Sequence, residues 1–162
     1  MELGSLNKHK VSHIVSIWHP DEATEEYIEM IRETFDHSKV HATVFDDVER
    51  EQPPYHCATP EQVRAVLNFG AGVKPADHLV VHCMAGISRS TACAISILAH
   101  HLGPGSEREI ASHIRKIRPQ AWPNRLVLTH ADKLLNRKGA LLAAYDEVFG
   151  DLVGEVEINK GW

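Results

Sequence analysis

Several features are scarce in this 162-residue sequence, and each absence argues against a class of protein. No apolar run approaches the roughly 20 residues of a membrane span, and residues 1–10 (MELGSLNKHK) lack a signal-peptide core. Cysteine occurs only three times, too rarely for a disulfide scaffold, which indicates a reducing compartment. A net charge of -5 argues against a nucleic-acid partner that needs a broad basic surface. We therefore expect a cytoplasmic protein with neither membrane nor nucleic acid among its partners.

Histidine, by contrast, is abundant, with twelve residues. Pairs such as His9/His13 and His37/His41 could suggest a metal site. No such pair is joined by a second pair or by a carboxylate at ligand spacing, so surface and half-buried histidines explain the count better. We expect no metal and no other cofactor.

The length and the order of the predicted elements favour one α/β domain, which we place over residues 1–162. Residues 78–82 (HLVVH) form a short uncharged apolar run, which predicts a buried central strand. Thr59, Pro60 and Gln62 form a capping box with proline at the first helical position, so a helix starts there and ends near residues 70–72. Two further strands are predicted over 11–18 and 39–45, and five further helices over 22–35, 89–102, 106–119, 124–137 and 140–149. The expected fold is a mainly parallel central sheet flanked by helices, with a helical C-terminal half.

The most informative segment is residues 81–91 (VHCMAGISRST), which leads from a buried strand through Gly86 into a helix. Backbone N–H groups at such a helix start have no partner within the helix and, with the helix dipole, bind anions. Cys83 at the mouth of this site should have a lowered pKa, because the same donors stabilise its thiolate. Arg89, six positions later, can reach two oxygens of a phosphoryl group above the sulfur. One turn thus supplies a nucleophile, an anion site and a cation.

The stretch HCMAGISRS resembles the HCxxGxxRS signature of the protein tyrosine and dual-specificity phosphatase superfamily. A second stretch, RPQAWPN, resembles the arginine–proline–x–alanine–x–proline–asparagine segment that follows the signature helix in this family. The resemblance spans roughly residues 47–135 and is strongest to compact microbial members. The matched positions are His82, Cys83, Gly86, Arg89 and Ser90 in the first stretch, and Arg118, Pro119, Ala121, Pro123 and Asn124 in the second.

The resemblance implies a phosphatase-like fold and a role for each signature residue. Cys83 would attack phosphorus, and Arg89 would bind the equatorial oxygens. Ser90 would stabilise the thiolate when it leaves, and His82 would orient the cysteine through the loop. The substrate phosphate would bind to the loop formed by Met84, Ala85, Gly86, Ile87, Ser88 and Arg89.

A general acid must protonate the leaving oxygen, and the family takes it from a loop aspartate some thirty-odd residues before the cysteine. Asp46 and Asp47 lie 37 and 36 positions before Cys83. Asp47 fits better because apolar Val48 follows it, but Asp46 remains an alternative, and both could be surface charges. The tryptophan–proline–aspartate motif of the family is absent from this sequence. His130 stands where family members often place a water-positioning glutamine; it could hold water or simply lie on a helix face.

The substrate class is open at this stage. Apart from Arg89, the loop has no cation, which disfavours polyanionic inositol lipids and favours a phosphorylated protein, with phosphotyrosine slightly preferred. A small phosphoester is an alternative substrate, and a non-catalytic phosphate-binding module is an alternative function. Low-molecular-weight phosphatases and arsenate reductases fit the sequence less well, because they carry their catalytic cysteine near the start of the chain, whereas Cys83 lies in the middle. Sulfurtransferases also fit less well, because they have no segment like RPQAWPN. The oligomeric state is not predictable.

Cys57 lies on the proline-rich loop that also contains Asp46 and Asp47. An oxidised Cys83 could therefore form a reversible disulfide with Cys57 when the loop closes. The alternative is that Cys57 is an incidental loop residue. Cys93 lies within the following helix and should pack in the core.

Overall fold

The computed structural model describes residues 10–21 and 25–150. Within them, a parallel sheet is followed by a helical C-terminal half, and the predicted fold class is confirmed. The single domain predicted over 1–162 stays a prediction, because it includes residues outside the described part. In chain order the elements are β1 (His13–Trp18), α1 (Glu25–Thr34), β2 (Lys39–Val44), α2 (Pro60–Ala71), β3 (Leu79–His82), α3 (Arg89–Leu102), α4 (Glu107–Ile117), α5 (Arg125–Leu134) and α6 (Ala140–Phe149).

The described sheet has the strand order β2-β1-β3, with both pairings parallel. His13 of β1 is in register with Lys39 on one side and Leu79 on the other. Among the described strands β1 is therefore the central one and β3 lies at an edge, so the prediction that residues 78–82 form the central strand is wrong for the described sheet. Side chains of β3 reach the core on both sides of the sheet, since Val81 packs against one hydrophobic cluster and Val80 against the other, although residues 79–81 are each only half-buried. Core contacts on both sides give an uncharged apolar run even at an edge of the described sheet.

The sheet separates two hydrophobic clusters of unequal size. The larger contains Val15 and Ile17 of β1 and packs them against side chains of α2 to α6. The smaller packs Ile14 of β1 against Ile31 of α1 and against Phe35, which follows α1. Because successive residues of a strand point to opposite faces, one apolar strand contributes to both clusters.

Most predicted helix boundaries are reproduced within a few residues. The capping box of α2 is confirmed: Thr59 Oγ1 accepts from the Gln62 N–H (3.2 Å), and Gln62 Oε1 accepts from the Thr59 N–H (2.9 Å). The predicted helix 124–137 ends earlier, at Leu134, because Asn136 and Lys138 adopt left-handed backbone conformations (φ 54° and 55°).

Residues 22–24, the first three of the predicted helix 22–35, lie outside the described residues. In the described part, no helix has both the length and the hydrophobicity that crossing a membrane requires.

Candidate active site

The loop between β3 and α3, residues 83–89, is here called the signature loop. Gly86 has a φ of 65°, a left-handed conformation that glycine adopts without a steric penalty. Ser88 is the N-cap residue of α3, but its side chain makes no capping hydrogen bond; its hydroxyl donates to Asp47 Oδ1 instead (2.6 Å). The first N–H groups of α3 are therefore left free of a side-chain cap and can bind an anion.

Cys83 directly follows β3, and its residue is only 4% exposed. Its Sγ lies 3.3 Å from Oγ of Ser90, which belongs to the first turn of α3 and is equally buried. The thiol donates to the hydroxyl when protonated, and the hydroxyl donates to the sulfur when the thiol is ionised. The helix start thus provides a group that stabilises the thiolate.

The side chain of Arg118 supports the signature loop from outside. Its Nε donates to the carbonyl oxygen of Gly86 (2.9 Å), and its Nη2 donates to that of Ala85 (3.0 Å). The sequence indicated Arg118 as part of the second motif but gave no role for it. In the structure this arginine determines where two loop carbonyls point.

The backbone of the second motif holds the next two carbonyls of the loop. The N–H of Trp122 donates to the Ile87 carbonyl (3.0 Å), and the N–H of Asn124 donates to the Ser88 carbonyl (3.2 Å). Four consecutive carbonyls, 85 to 88, therefore point toward residues 118–124. Because the C=O and N–H of a trans peptide point in opposite directions, the N–H groups of residues 86–89 point away from that segment. The loop has the backbone arrangement of an anion-binding site.

Arg89, also buried (5% exposed), connects the signature loop with the chain that follows β2. Its Nη1 donates to the carbonyl oxygen of Phe45 (2.9 Å), and its Nε lies 3.9 Å from Asp47 Oδ2. Within the described residues, this Nε is buried and has no hydrogen-bond partner. A buried charged donor normally has an acceptor, and an oxyanion bound at the loop would provide one.

Asp47 lies against the signature loop. Its Oδ1 accepts from the Ser88 hydroxyl (2.6 Å) and from the side-chain amide of Asn124 (3.0 Å). The Asp47 side chain is 40% exposed, so its carboxylate can exchange protons with solvent. Asn124 also caps α5 by accepting from the Val127 N–H (3.1 Å). One asparagine therefore starts a helix and holds the carboxylate.

Asp46, the alternative acid, has a different environment. Its side chain is buried, with Oδ1 2.6 Å from Nε2 of His19 and Oδ2 accepting from the His56 N–H (2.6 Å). It forms none of the contacts to the signature loop that Asp47 forms. No sequence motif pointed to His19; only the rule that parallel strands end at the same edge could have drawn attention to the residue after β1.

His82, the last residue of β3, is buried against Trp18, whose ring lies 6.1 Å away at an interplanar angle of 86°. Burial lowers the pKa of His82 to about 4, so the ring is neutral near pH 7. Its Nε2 has no hydrogen-bond partner in the described part of the chain. His82 therefore positions the strand end before Cys83 through packing, as an uncharged ring.

The remaining predicted positions surround this centre. Met84 is 60% exposed and Ala85 is exposed, so both lie at the open side of the loop, whereas Ile87 is half-buried. His130 Nε2 lies 3.1 Å from the Ala58 carbonyl oxygen, which ties α5 to the start of α2 and gives this nitrogen a partner other than water.

All three cysteines are free. Cys57 is half-buried, and the disulfide proposed for it with Cys83 is absent from this structure and stays a hypothesis about the oxidised protein. Cys93 packs in the core, as predicted. Burial, with a smaller effect from nearby Cys83, raises its pKa to about 12. Cys93 is therefore a neutral thiol.

Comparison with known proteins gives one family match and structural neighbours. The family model "Protein-tyrosine phosphatase" matches residues 24–126. The crystal structure of Tk-PTP in the active form superimposes with a TM-score of 0.57 at 18% identity, covering 80% of this chain and 82% of that one. The phosphatase domain of Yvh1 from Chaetomium thermophilum gives a TM-score of 0.49 at 24% identity and covers 83% of each chain. No curated protein matches the chain.

Proposed function

This chain belongs to the protein-tyrosine phosphatase family, and we propose that it hydrolyses phosphoesters through a covalent cysteinyl-phosphate intermediate. The observation that carries the proposal is the combination, at one helix start, of a buried thiol, a cap-free helix N-terminus and an unpartnered arginine nitrogen. The sulfur of Cys83 lies 3.3 Å from the Ser90 hydroxyl, and Arg89 Nε has no hydrogen-bond acceptor among the described residues. A purely structural loop would normally satisfy both the helix donors and this buried nitrogen with protein acceptors.

In the first step the thiolate of Cys83 attacks phosphorus. The S–P bond forms while the bond from phosphorus to the leaving oxygen breaks, and Asp47 gives its proton to that oxygen. Arg89 and the N–H groups of residues 86–89 bind the non-bridging oxygens, so the negative charge remains stabilised throughout. The products of this step are the alcohol or phenol and the cysteinyl phosphate.

In the second step water attacks the phosphorus of the intermediate. Asp47, now a carboxylate, accepts a proton from the water as the new P–O bond forms and the S–P bond breaks. The electrons of the S–P bond return to sulfur, where the Ser90 hydroxyl donates a hydrogen bond to the thiolate. Inorganic phosphate leaves, and the site returns to its starting state.

Phosphorylated proteins are the proposed substrate class, with phosphotyrosine preferred. Two cations near the signature loop are already engaged, which disfavours polyanionic inositol phosphates: Arg118 binds the loop carbonyls, and Arg125 binds the carboxylate of Asp146 with both terminal nitrogens. Arg89 is the cation within the signature loop itself and suits a single phosphoryl group. We also propose a cytoplasmic location, supported by the three free cysteines.

The test is a substrate panel measured with the wild type and with Cys83→Ser. It should contain phosphotyrosine, phosphoserine and phosphothreonine peptides, inositol phosphates and nucleotides. We expect wild-type turnover to be highest on phosphotyrosine peptides, and acid-quenched enzyme to carry one phosphoryl group on the peptide containing Cys83. Phosphate binding without turnover of any substrate would indicate the non-catalytic module, and higher turnover of inositol phosphates or nucleotides would indicate a non-protein phosphoester.

A further inference from the structure

Residues 46–56 form a loop whose two ends are tied together, here called the aspartate loop. The N–H of Asp46 donates to the carbonyl of His56 (2.7 Å), and the N–H of His56 donates back to Asp46 Oδ2 (2.6 Å). Asp46 is 3% exposed, whereas His56 and most of the residues between them are exposed. This reciprocal pair determines where the loop begins and ends.

His19 connects Asp46, at one end of the aspartate loop, to the central strand β1. It directly follows β1, and its Nε2 lies 2.6 Å from Asp46 Oδ1. Its Nδ1 accepts from the backbone N–H of Asp21 (3.2 Å), so Nδ1 carries a lone pair and Nε2 carries the proton in the neutral ring. The ring therefore lies in close polar contact with Asp46 Oδ1, which has no hydrogen-bond partner with good geometry among the described residues, and this contact holds the carboxylate on the His19 side.

Polar groups of residues 45–47 make contacts on two different sides of the chain. The carbonyl of Phe45 and the carboxylate of Asp47 both reach the signature loop, where they contact Arg89 and Ser88. The side chain of Asp46, between them, points to His19 instead. Asp46 and Asp47 are adjacent, so the contact that holds the Asp46 side chain on one side restricts the positions that the Asp47 side chain can take on the other.

We propose that His19, acting through Asp46, is a positioning residue that aligns Asp47 with the leaving oxygen. The inference rests on the proposed function, because it requires Asp47 to be the general acid. His19 does not touch the substrate. Its effect should therefore be confined to the step that needs proton donation, and small misplacements of a catalytic group can cost large factors in rate.

The experiment compares two substrates that differ in their need for an acid. Phenyl phosphate has a poor leaving group, whereas p-nitrophenyl phosphate has a good one. For His19→Ala we expect kcat on phenyl phosphate to fall about 10-fold, with a change below about 2-fold on p-nitrophenyl phosphate. His19→Gln, whose amide is long enough to reach Asp46 and make a polar contact with it, should restore most of the loss. Because both rates scale with the amount of folded enzyme, their ratio is valid even if a variant folds incompletely.

The matched control is His56→Ala, which removes another histidine of the same loop base but leaves the backbone contacts of residue 56 intact. For this variant, the ratio of kcat on phenyl phosphate to kcat on p-nitrophenyl phosphate should equal the wild-type ratio. His19→Asn, which keeps a polar side chain too short to reach Asp46, should behave like the alanine variant. A His19→Ala ratio equal to the wild type, or a glutamine variant no better than alanine, would overturn the inference.

A double-variant cycle separates this inference from the proposed function. In an Asp47→Asn background, His19→Ala should cause no further loss on phenyl phosphate, since the acid it positions is already gone. A persisting loss would show that His19 acts by another route. If Asp47→Asn itself leaves the ratio unchanged, the acid assignment and the role of His19 both fail. If Asp47→Asn changes the ratio and His19→Ala does not, only the role of His19 fails.

Discussion

The signature loop and the aspartate loop lie against each other but are held in place by different means. Residues 83–89 connect a strand and a helix that are neighbours in sequence, and Cys83 and Arg89 are both buried. The aspartate loop is mostly exposed and is held at a few points: Asp46 at its base, Asp47 against the signature loop, and Glu49, which accepts from the Arg125 N–H (2.7 Å).

This difference explains why the nucleophile and the acid differ so much in predictability. The environment of Cys83 follows from a strand, a glycine and a helix start within a few residues of it. Asp47 instead contacts Ser88 and Asn124, which are 41 and 77 positions away in sequence. A position defined by distant partners leaves little local pattern. If the two loops contribute separately to catalysis, variants of the signature loop should slow the reaction of every substrate, and variants of the aspartate loop should slow only substrates with poor leaving groups.

The largest effect should come from Cys83→Ser, which replaces the thiolate with a poor nucleophile at an otherwise unchanged helix start. We expect phosphate release to fall below about 1% of the wild-type rate, while the fold and phosphate binding persist. Phosphate release from p-nitrophenyl phosphate is the measurement. Cys57→Ser is the control and should keep near-wild-type activity under reducing conditions. A Cys83→Ser variant with more than that residual activity would contradict the covalent route.

Arg89→Lys should be nearly as damaging, because a point charge cannot replace a guanidinium group that binds two oxygens and the Phe45 carbonyl together. We expect the loss on both phenyl phosphate and p-nitrophenyl phosphate, since Arg89 acts on the phosphoryl group rather than on the leaving group. Arg108→Lys, at an exposed arginine paired with Glu147, is the matched control. If Arg89→Lys kept the wild-type kcat/KM, the proposed role of Arg89 in binding the phosphoryl oxygens would be wrong.

Asp47→Asn should affect only one substrate strongly. We expect turnover of phenyl phosphate to fall by about 10²–10⁴, the usual contribution of general-acid catalysis, and turnover of p-nitrophenyl phosphate to fall much less. Asp36→Asn, at an exposed aspartate after α1, should change neither. If Asp46→Asn shows this pattern and Asp47→Asn does not, the acid role belongs to Asp46.

The smallest expected effect is on the pH dependence of the free energy of unfolding, and it comes from His82, which directly precedes the signature loop. Because burial lowers the pKa of His82 from its ordinary 6.5 to about 4, the unfolded chain takes up this proton first as pH falls. Stability should therefore decrease as pH falls from about 6.5 to about 4, by on the order of 3 kcal/mol at the lower end for this residue. Urea denaturation across this range should show a shallower decrease for His82→Gln than for the wild type. His113→Gln, at an exposed histidine, should keep the wild-type slope.

Much of the fold was predictable because its signals are local. Helix caps and apolar periodicity gave the elements within a few residues, and the capping box of Thr59 and Gln62 is present as predicted. The position of the strand 78–82 was not predictable in the same way. Its apolar run reflects core contacts on both sides of the strand, and it carries no information on how many strands pair with it.

The residues of the candidate site also fall into two groups, those that local sequence predicts and those that only tertiary contacts place. The sequence by itself indicated Cys83, Gly86 and Arg89, because a strand, a turn and a helix start place these residue types at short spacings, and it indicated Ser90 through the family resemblance. Only the tertiary structure placed Asp47 rather than Asp46 against the signature loop, and gave Arg118 and His19 their contacts. Those contacts join segments that meet only after the sheet and helices have packed. Their geometry depends on the whole fold, and no spacing along the chain encodes it.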